Sequence, residues 1–263
     1  MKRRPVYKIL TFILLSVVII ETVLLIHLWI NRTVSRKAAK IPAVTKSRIA
    51  IVIDDWGYNQ DNLNILNEIK YPFTASVLPR LDYSKEVAKE LHENGVQVML
   101  HLPMEPRESS RLEKNTILVS MSEQEIKGII GKDLADIQYA VGVSNHMGSK
   151  ATEDPKTMGI VFKELKKRNL FFLDSVVSSK TICSGLAEKS GLGFIKRDVF
   201  IDNNEDPGYI KEQFYKLKRK ALLRGYAVGV GHDRRNTLEV MKEIMPQIEK
   251  EGYEFVFISE MVK

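Results

Sequence analysis

Residues Ile49-Ala-Ile-Val-Ile-Asp-Asp55 decide the fold that the sequence predicts. A short β-branched run of this kind is typical of a strand buried on both faces of a parallel sheet. It ends in two adjacent acids, Asp54 and Asp55, which the strand delivers to its carboxyl end. Neighbouring carboxylates repel each other and lose hydration when buried, so the pair indicates a cation site or a proton-transfer role.

The same plan repeats along the chain, because later apolar runs also end at polar residues. These later stops are His101, Asn145-His146, Asp174, Arg197-Asp198 and His232-Asp233. The runs alternate with amphipathic segments, which predicts a parallel sheet, and polar residues at nearly every carboxyl end favour a distorted (β/α) barrel of seven to eight strands. An open doubly wound sheet is the alternative.

The N-terminal part differs in charge from the rest of the chain. Residues 1–48 contain ten Lys and Arg and one acid, a net charge of +9, whereas the remainder has 30 basic and 32 acidic residues, a net charge of −2. Because the basic charge lies outside the predicted domain, we expect no nucleic-acid binding. An apolar stretch over 9–30 is long enough to cross a bilayer. We therefore predict a cytoplasmic tip and signal anchor over 1–31, a linker over 32–47 and a domain over 48–263.

The predicted anchor leaves an alternative open. Glu21 and His27 lie within the apolar span, where ionisable groups are costly, so a cleaved signal peptide and a secreted domain stay possible. Basic residues flank the span evenly, so charge hardly discriminates its orientation. The secretion-type N-terminus predicts a single-pass protein of the cell membrane whose domain faces outward.

Three of the five histidines follow predicted strands, namely His101, His146 and His232. Two imidazoles and one carboxylate, with an open position for water, form a common hydrolytic site for zinc or a similar divalent ion. Such an ion lowers the pKa of bound water and polarises a carbonyl group. A second carboxylate would then act as base, and a histidine on the opposite side would protonate the leaving group.

Several separated motifs give the sequence a family resemblance. They are Asp54-Asp55, His101-Leu-Pro-Met-Glu-Pro106, Asn145-His-Met-Gly-Ser149, Asp174 and Gly231-His232. Together they resemble the divergent (YibQ-like) polysaccharide deacetylases, a branch of the NodB-like superfamily, and the similarity covers about residues 48–260. The resemblance implies a NodB-like distorted (β/α) barrel and metal-dependent removal of N-acetyl groups from a polysaccharide or peptidoglycan-type glycan.

The resemblance also implies a role for each matching position. Asp54 corresponds to the general base, Asp55 to a metal ligand and His101 to the first histidine ligand. His232, supported by an acid such as Asp174, corresponds to the general acid.

The sequence departs from the main superfamily at two places. Glu105 stands where that superfamily has a second histidine, so the third ligand is either Glu105 or His146. We favour His146, because an imidazole on a neighbouring strand end restores the set of two histidines and one aspartate. The arginine-proline-aromatic motif is absent, Asn145 lies near its place, and Arg197 is a candidate for the missing cation. Asp198, like Asp202 and Asp233, either tunes the site or caps the following segment.

Two aromatic residues follow the acids. Trp56 and Tyr58 are placed to stack on a sugar ring, although buried packing explains them equally well.

Two alternative functions stay open. Because the ligand set is altered, the chain is alternatively a non-catalytic envelope protein that keeps the metal site and binds a glycan or a partner. Because a fold does not fix a substrate, hydrolysis of a different bond at the same centre is the other alternative.

Overall fold

The structure is a computed structural model that describes residues 4–38 and 46–262. The chain divides into two compact units, Met1–Thr45 and Lys46–Lys263. The first unit contains one long helix, α1 (Arg4–Ala38), which continues past residue 31, where the sequence places the end of the anchor. Within the two described ranges, no helix combines the length and the apolar character that a membrane crossing requires. The structure therefore gives the predicted transmembrane helix no support. Residues 1–3 of the predicted tip and residues 39–45 of the predicted linker lie outside the described residues.

Strands and helices alternate through the second unit. Its strands are β1 (Arg48–Trp56), β2 (Thr74–Val77), β3 (Gln97–Met104), β4 (Gly142–Met147), β5 (Phe171–Asp174), β6 (Phe194–Lys196), β7 (Val199–Phe200), β8 (Tyr226–His232) and β9 (Glu254–Phe255). Its α-helices are α2 (Ser84–Glu93), α3 (Glu123–Asp136), α4 (Pro155–Lys167), α5 (Cys183–Ser190), α6 (Pro207–Arg224) and α7 (Arg235–Lys250). Short 3₁₀ helices cover Leu63–Glu68, Ala151–Glu153 and Ile258–Met261.

The strands form one parallel sheet in the order β6-β5-β4-β3-β2-β1-β8-β7, with β9 paired to β1. The predicted parallel alternation is confirmed, but the sheet is a curled half-barrel, because among residues 46–262 no pairing joins β6 to β7. Only Arg197 and Asp198 separate these two strands. Two neighbouring parallel strands need a connection of about a dozen residues. This two-residue link is therefore too short for β6 and β7 to pair as parallel strands.

Strand β1 lies near the middle of this sheet and is buried on both faces, as its sequence predicts. Ile49, Ile51 and Ile53 are fully buried in the larger apolar cluster, which also contains the inner faces of the helices. Ala50 and Val52 are fully buried in a second cluster, made mainly of strand residues, that fills the inside of the curled sheet. The next residue on the inner face is an acid, so the apolar interior ends where the strand delivers its carboxylates.

Local capping signals place the helices that follow the strands. The Ser122 hydroxyl accepts from the Glu125 N–H and the Glu125 carboxylate accepts from the Ser122 N–H, which forms the capping box that begins α3. Asp154 and Asp206 cap α4 and α6, each before a proline at the first helical position. The segment between β1 and β2 forms a 3₁₀ helix, Leu63–Glu68. Strands β7 and β9 have two residues each, and β9 precedes the last 3₁₀ helix, Ile258–Met261.

Candidate metal centre

The two acids at the end of β1 project toward one place because the strand is irregular there. In a regular strand, successive side chains point to opposite faces. Here the pairing of β1 with β2 shifts register between Ile53 and Trp56, and Asp55 has a φ of 66°, in the left-handed region. As a result, His101 faces both acids, with its Nδ1 3.8 Å from Asp54 Oδ1 and its Nε2 3.2 Å from Asp55 Oδ1.

The structure brings together Asp55, His101 and His146. His101 lies in β3 and His146 in the adjacent β4, and their ring centroids are 5.0 Å apart. The His146 Nδ1 atom lies 2.9 Å from Asp55 Oδ1, and one ligand atom from each of the three residues lies within 4.8 Å of the others. The Nδ1 atom of His101, on the side of the ring away from Asp55, lies 2.7 Å from the Ser144 Oγ atom. This contact fixes the orientation of the His101 ring.

Burial and pairing give the two acids different acidities. Burial alone would raise the pKa of Asp55, but hydrogen bonds with His101 and His146 outweigh it and hold that pKa well below its usual range. Asp54 is 3% exposed, and burial raises its pKa. Among the described residues, the buried Oδ1 atom of Asp54 has no hydrogen-bond partner. Asp55 is therefore an ionised ligand candidate, whereas Asp54 keeps a free buried oxygen.

The residues present fit a divalent cation. Two imidazole nitrogens and a carboxylate oxygen are the donors that zinc and similar ions take, and three protein ligands leave a position for water. The Asp54 Oδ1 atom beside them has no hydrogen-bond partner among the described residues, so a second carboxylate oxygen is available next to the three ligand candidates.

His232, at the carboxyl end of β8, faces this cluster from the other side. Its Nε2 atom lies 3.9 Å from Asp55 Oδ2, and its Nδ1 lies 3.0 Å from Asp202 Oδ1. Asp202 is fully buried and also accepts hydrogen bonds from the His232 N–H and the Thr237 hydroxyl. Burial lowers the pKa of His232, but the Asp202 carboxylate outweighs it, so the net shift is upward. His232 is thus held by an acid and favoured in its protonated form.

The acid that orients His232 is Asp202, not Asp174 as the resemblance implied. Asp174 accepts hydrogen bonds from the Val176 N–H and the Thr181 hydroxyl, and so shapes the loop after β5. Sequence reasoning left Asp202 undecided because β7 was not recognised. The signal was present, since Val199-Phe-Ile-Asp202 repeats the pattern of an apolar run that ends in an acid.

Glu105 is not placed to be the third ligand. Its Oε1 atom pairs with the Lys150 ammonium at 2.5 Å, and its Oε2 accepts from the Val119 N–H at 2.6 Å. Both carboxylate oxygens are therefore used to hold the loops around β3, whereas His146 reaches the cluster.

The remaining polar candidates lie in hydrogen bonds with the backbone. Asn145 accepts from the Ser175 N–H and donates to the Met147 carbonyl, so it joins the ends of β4 and β5. The Arg197 guanidinium donates to the carbonyls of residues 175 and 176. Burial lowers the pKa of Arg197, and the carboxylates of Asp174 and Asp54 oppose that shift. Asp198 pairs with Arg224 and accepts from the Val228 N–H, so both of its carboxylate oxygens have partners outside the cluster.

The two aromatic candidates differ in exposure. Trp56 is 0% exposed and belongs to the apolar core, so it is packing rather than a stacking surface for a sugar. Tyr58 is 48% exposed, and its hydroxyl donates to Glu113 Oε1 at 2.7 Å. Burial and the negative charges of Glu113 and Asp55 raise the pKa of Tyr58, so its hydroxyl stays protonated.

A parallel half-barrel with a cluster of two histidines and one aspartate at its carboxyl end defines the class of protein. Residues 51–262 match the family described as divergent polysaccharide deacetylase, and the chain belongs to that family. It is 37% identical over 202 residues to the uncharacterized protein YibQ of Escherichia coli (strain K12). These matched residues make up 77% of this chain and 63% of YibQ. The chain thus spans less than two thirds of that relative.

Solved structures share the fold. The uncharacterized protein ATU2773 from Agrobacterium tumefaciens C58 superposes with a TM-score of 0.80 at 20% identity, over 85% of this chain and 92% of its own. The catalytic domain of peptidoglycan N-acetylglucosamine deacetylase from Eubacterium rectale ATCC 33656 gives a TM-score of 0.53 at 17% identity, over 81% and 89%. At these identities the likeness concerns the fold alone.

Proposed function

We propose that this chain is a metal-dependent hydrolase, with zinc as the expected ion, that removes N-acetyl groups from a cell-envelope glycan. One observation carries the proposal: Asp55, His101 and His146 converge on one point between the buried Asp54 and the pair His232–Asp202. Family membership and the Eubacterium rectale fold relative support an N-acetylated glycan as the substrate class. The envelope location rests on the N-terminal sequence.

The residues around the centre divide the chemistry between them. A bound divalent ion would supply activation of water and polarisation of the amide carbonyl. Asp54 accepts the proton of the attacking water, because its buried Oδ1 is free and its raised pKa makes it a better base than an exposed aspartate. His232 donates a proton to the leaving nitrogen when the C–N bond breaks, and Asp202 fixes the ring for that transfer. The products are acetate and a free amino group.

The test measures metal content and acetate release on the full chain. Wild type, Asp54→Asn and the control Asp61→Asn are compared on N-acetylglucosamine oligomers and on peptidoglycan, with bound metal quantified by mass spectrometry. Asp61 is exposed and follows the same strand, so its variant removes one carboxylate outside the cluster. We expect Asp54→Asn to keep its metal and to lose about a hundredfold or more in turnover, the usual effect of a missing general base. Asp61→Asn should match wild type.

Two outcomes would replace the proposal. A protein that holds metal but releases no acetate from any glycan would be a binding protein that retains the centre. Release from O-acetylated but not N-acetylated glycans would keep the mechanism and change the bond that is hydrolysed.

A further inference from the structure

A cationic groove lies along β7 and α6, on the open side of the half-barrel. It has a volume of about 500 Å³, and we call it the α6 groove. The residues that matter for its chemistry are Arg197, Phe200, Gln213, Lys216, Arg219 and Lys220. Residues 213, 216 and 220 are spaced by three and four, so α6 presents them on one face.

The positive charge of the α6 groove is not balanced within it. Asp198 is its one acidic lining residue, and the Asp198 carboxylate is 5% exposed and paired with Arg224, which is not in the lining. Lys216, Arg219 and Lys220 are exposed, and no acidic side chain in residues 46–262 forms an ion pair with any of them. The groove therefore attracts a negative group.

The α6 groove is also lined by Gln213, a buried residue whose amide nitrogen has no hydrogen-bond partner among the described residues. Gln213 is 4% exposed, and its Nε2 atom makes no hydrogen bond within the described part of the chain. Its Oε1 accepts from the Lys216 ammonium at 3.2 Å, which leaves the amide hydrogens for another acceptor. A buried donor without an acceptor destabilises the protein, and an oxygen of a bound ligand would remove that cost.

The α6 groove shares a wall with the proposed catalytic centre. Phe200 lines the groove, and its ring packs against the His232 ring with centroids 5.0 Å apart. The Arg197 guanidinium carbon lies 4.7 Å from the centroid of the Phe200 ring, and both residues line the groove. A group in the groove is therefore one aromatic ring away from the proton donor.

We propose that the α6 groove binds a carboxylate or phosphate group of the substrate glycan, next to the acetamido group that is hydrolysed. The proposal rests on the proposed function and narrows the substrate class from any N-acetylated glycan to an acidic one. A glycan fits better than an anionic membrane surface, because Gln213 is buried and only a substituent that enters the groove can reach its amide.

The experiment compares binding and turnover of three N-acetylated oligosaccharides of equal length by the full chain loaded with metal. One is neutral, one carries lactyl carboxylates as in muramic acid, and one carries phosphate. The variants are Lys216→Gln/Arg219→Gln and Gln213→Leu, the second of which removes the buried amide while keeping the volume. Lys85→Gln/Lys89→Gln on α2 is the matched control, since it makes the same charge change at side chains 73% and 61% exposed.

We expect wild type to bind one of the acidic oligosaccharides more tightly than the neutral one. This preference should fall about tenfold or more in Lys216→Gln/Arg219→Gln, the size expected for lost charge-assisted hydrogen bonds, and should also fall in Gln213→Leu without loss of thermal stability. The control pair should keep the wild-type preference. Whichever of the carboxylate and phosphate oligosaccharides shows the loss identifies the ligand.

The outcomes separate this proposal from the proposed function. Acetate release with an unchanged preference for acidic over neutral oligosaccharides in both groove variants would overturn the groove and leave the hydrolase standing. If both groove variants lose the preference for acidic oligosaccharides but no oligosaccharide releases acetate, the groove stands and the hydrolase is overturned. Binding to phosphatidylglycerol vesicles that disappears in Lys216→Gln/Arg219→Gln, with oligosaccharide binding unaffected, would assign the groove to a membrane and overturn it.

Discussion

The carboxyl ends of β1, β3, β4 and β8 differ from the carboxyl end of β5 in what their polar side chains do. In the first group, the side chains face one another, and His101 lies between Asp54 and Asp55. At the end of β5, Asp174 accepts hydrogen bonds from the Val176 N–H and the Thr181 hydroxyl, and Asn145 of the neighbouring β4 accepts from the Ser175 N–H. The same sequence pattern, a polar residue after a buried strand, thus has two outcomes: the side chains face one another around one point, or they hold the loop that follows the strand.

Backbone strain and unpartnered atoms occur at both strand ends. Asp55, at the end of β1, lies in the left-handed region and the Asp54 Oδ1 atom has no hydrogen-bond partner among the described residues. After β5, Val176 is left-handed with a φ of 49°, and the Ser175 Oγ atom is likewise unpartnered among them. Both features cost stability, so the two ends differ in where their carboxylates face rather than in strain.

The largest effect is expected from removing a histidine of the cluster. We predict that His146→Ala loses bound metal and at least about a thousandfold in turnover, since losing the ion removes both water activation and carbonyl polarisation. Metal analysis and acetate release measure both. Glu105→Gln is the matched variant, because the two carboxylate oxygens of Glu105 are already held by Lys150 and Val119. It should keep its metal, and a metal-free Glu105→Gln that is still folded would return the ligand role to Glu105.

A smaller effect is expected when His232 loses its orienting acid. Asp202 raises the pKa of His232, so the protonated donor persists to higher pH. Asp202→Asn removes that influence and lowers this pKa, so the alkaline limb of the pH–rate profile should move to lower pH, with turnover reduced about a hundredfold. The profile of turnover against pH is the measurement.

Asp174→Asn is the comparison for this test, because it removes a buried carboxylate that has no hydrogen bond with His232. Its hydrogen bonds go to Val176 and Thr181, so its alkaline limb should coincide with that of wild type. A limb displaced by Asp174→Asn but not by Asp202→Asn would restore the pairing that the family resemblance implied.

The smallest effect is expected at Asn145, which joins the ends of β4 and β5 through hydrogen bonds with the backbone. Asn145→Ala leaves the Ser175 N–H and the Met147 carbonyl without their partner, and we predict a loss of about 2 kcal/mol in the free energy of unfolding. Urea unfolding measures it. Asn59→Ala removes an exposed acceptor from the Asp61 N–H and should change the same quantity by less than about 0.5 kcal/mol. Equal losses in the two variants would contradict the role given to Asn145.

Much of the domain was predictable because its signals are local. The buried run of β1, the capping box at Ser122 and the Asp-Pro starts of α4 and α6 each depend on residues that are neighbours in sequence. Strand β7 is harder to assign from sequence, because the apolar run that ends at Asp202 is too short to show periodicity and only its pairing with β8 identifies it as a strand.

The sequence by itself determined that acids and imidazoles stand at the ends of buried parallel strands, since side-chain periodicity and strand direction follow from local composition. Only the tertiary structure decided which ends meet. It placed β8 beside β1, so that His232 lies opposite Asp54, and it brought Asp202 rather than Asp174 to His232. It also paired Glu105 with Lys150 and placed His146 in contact with Asp55. Those choices depend on contacts between residues far apart in the chain, and no local pattern encodes them.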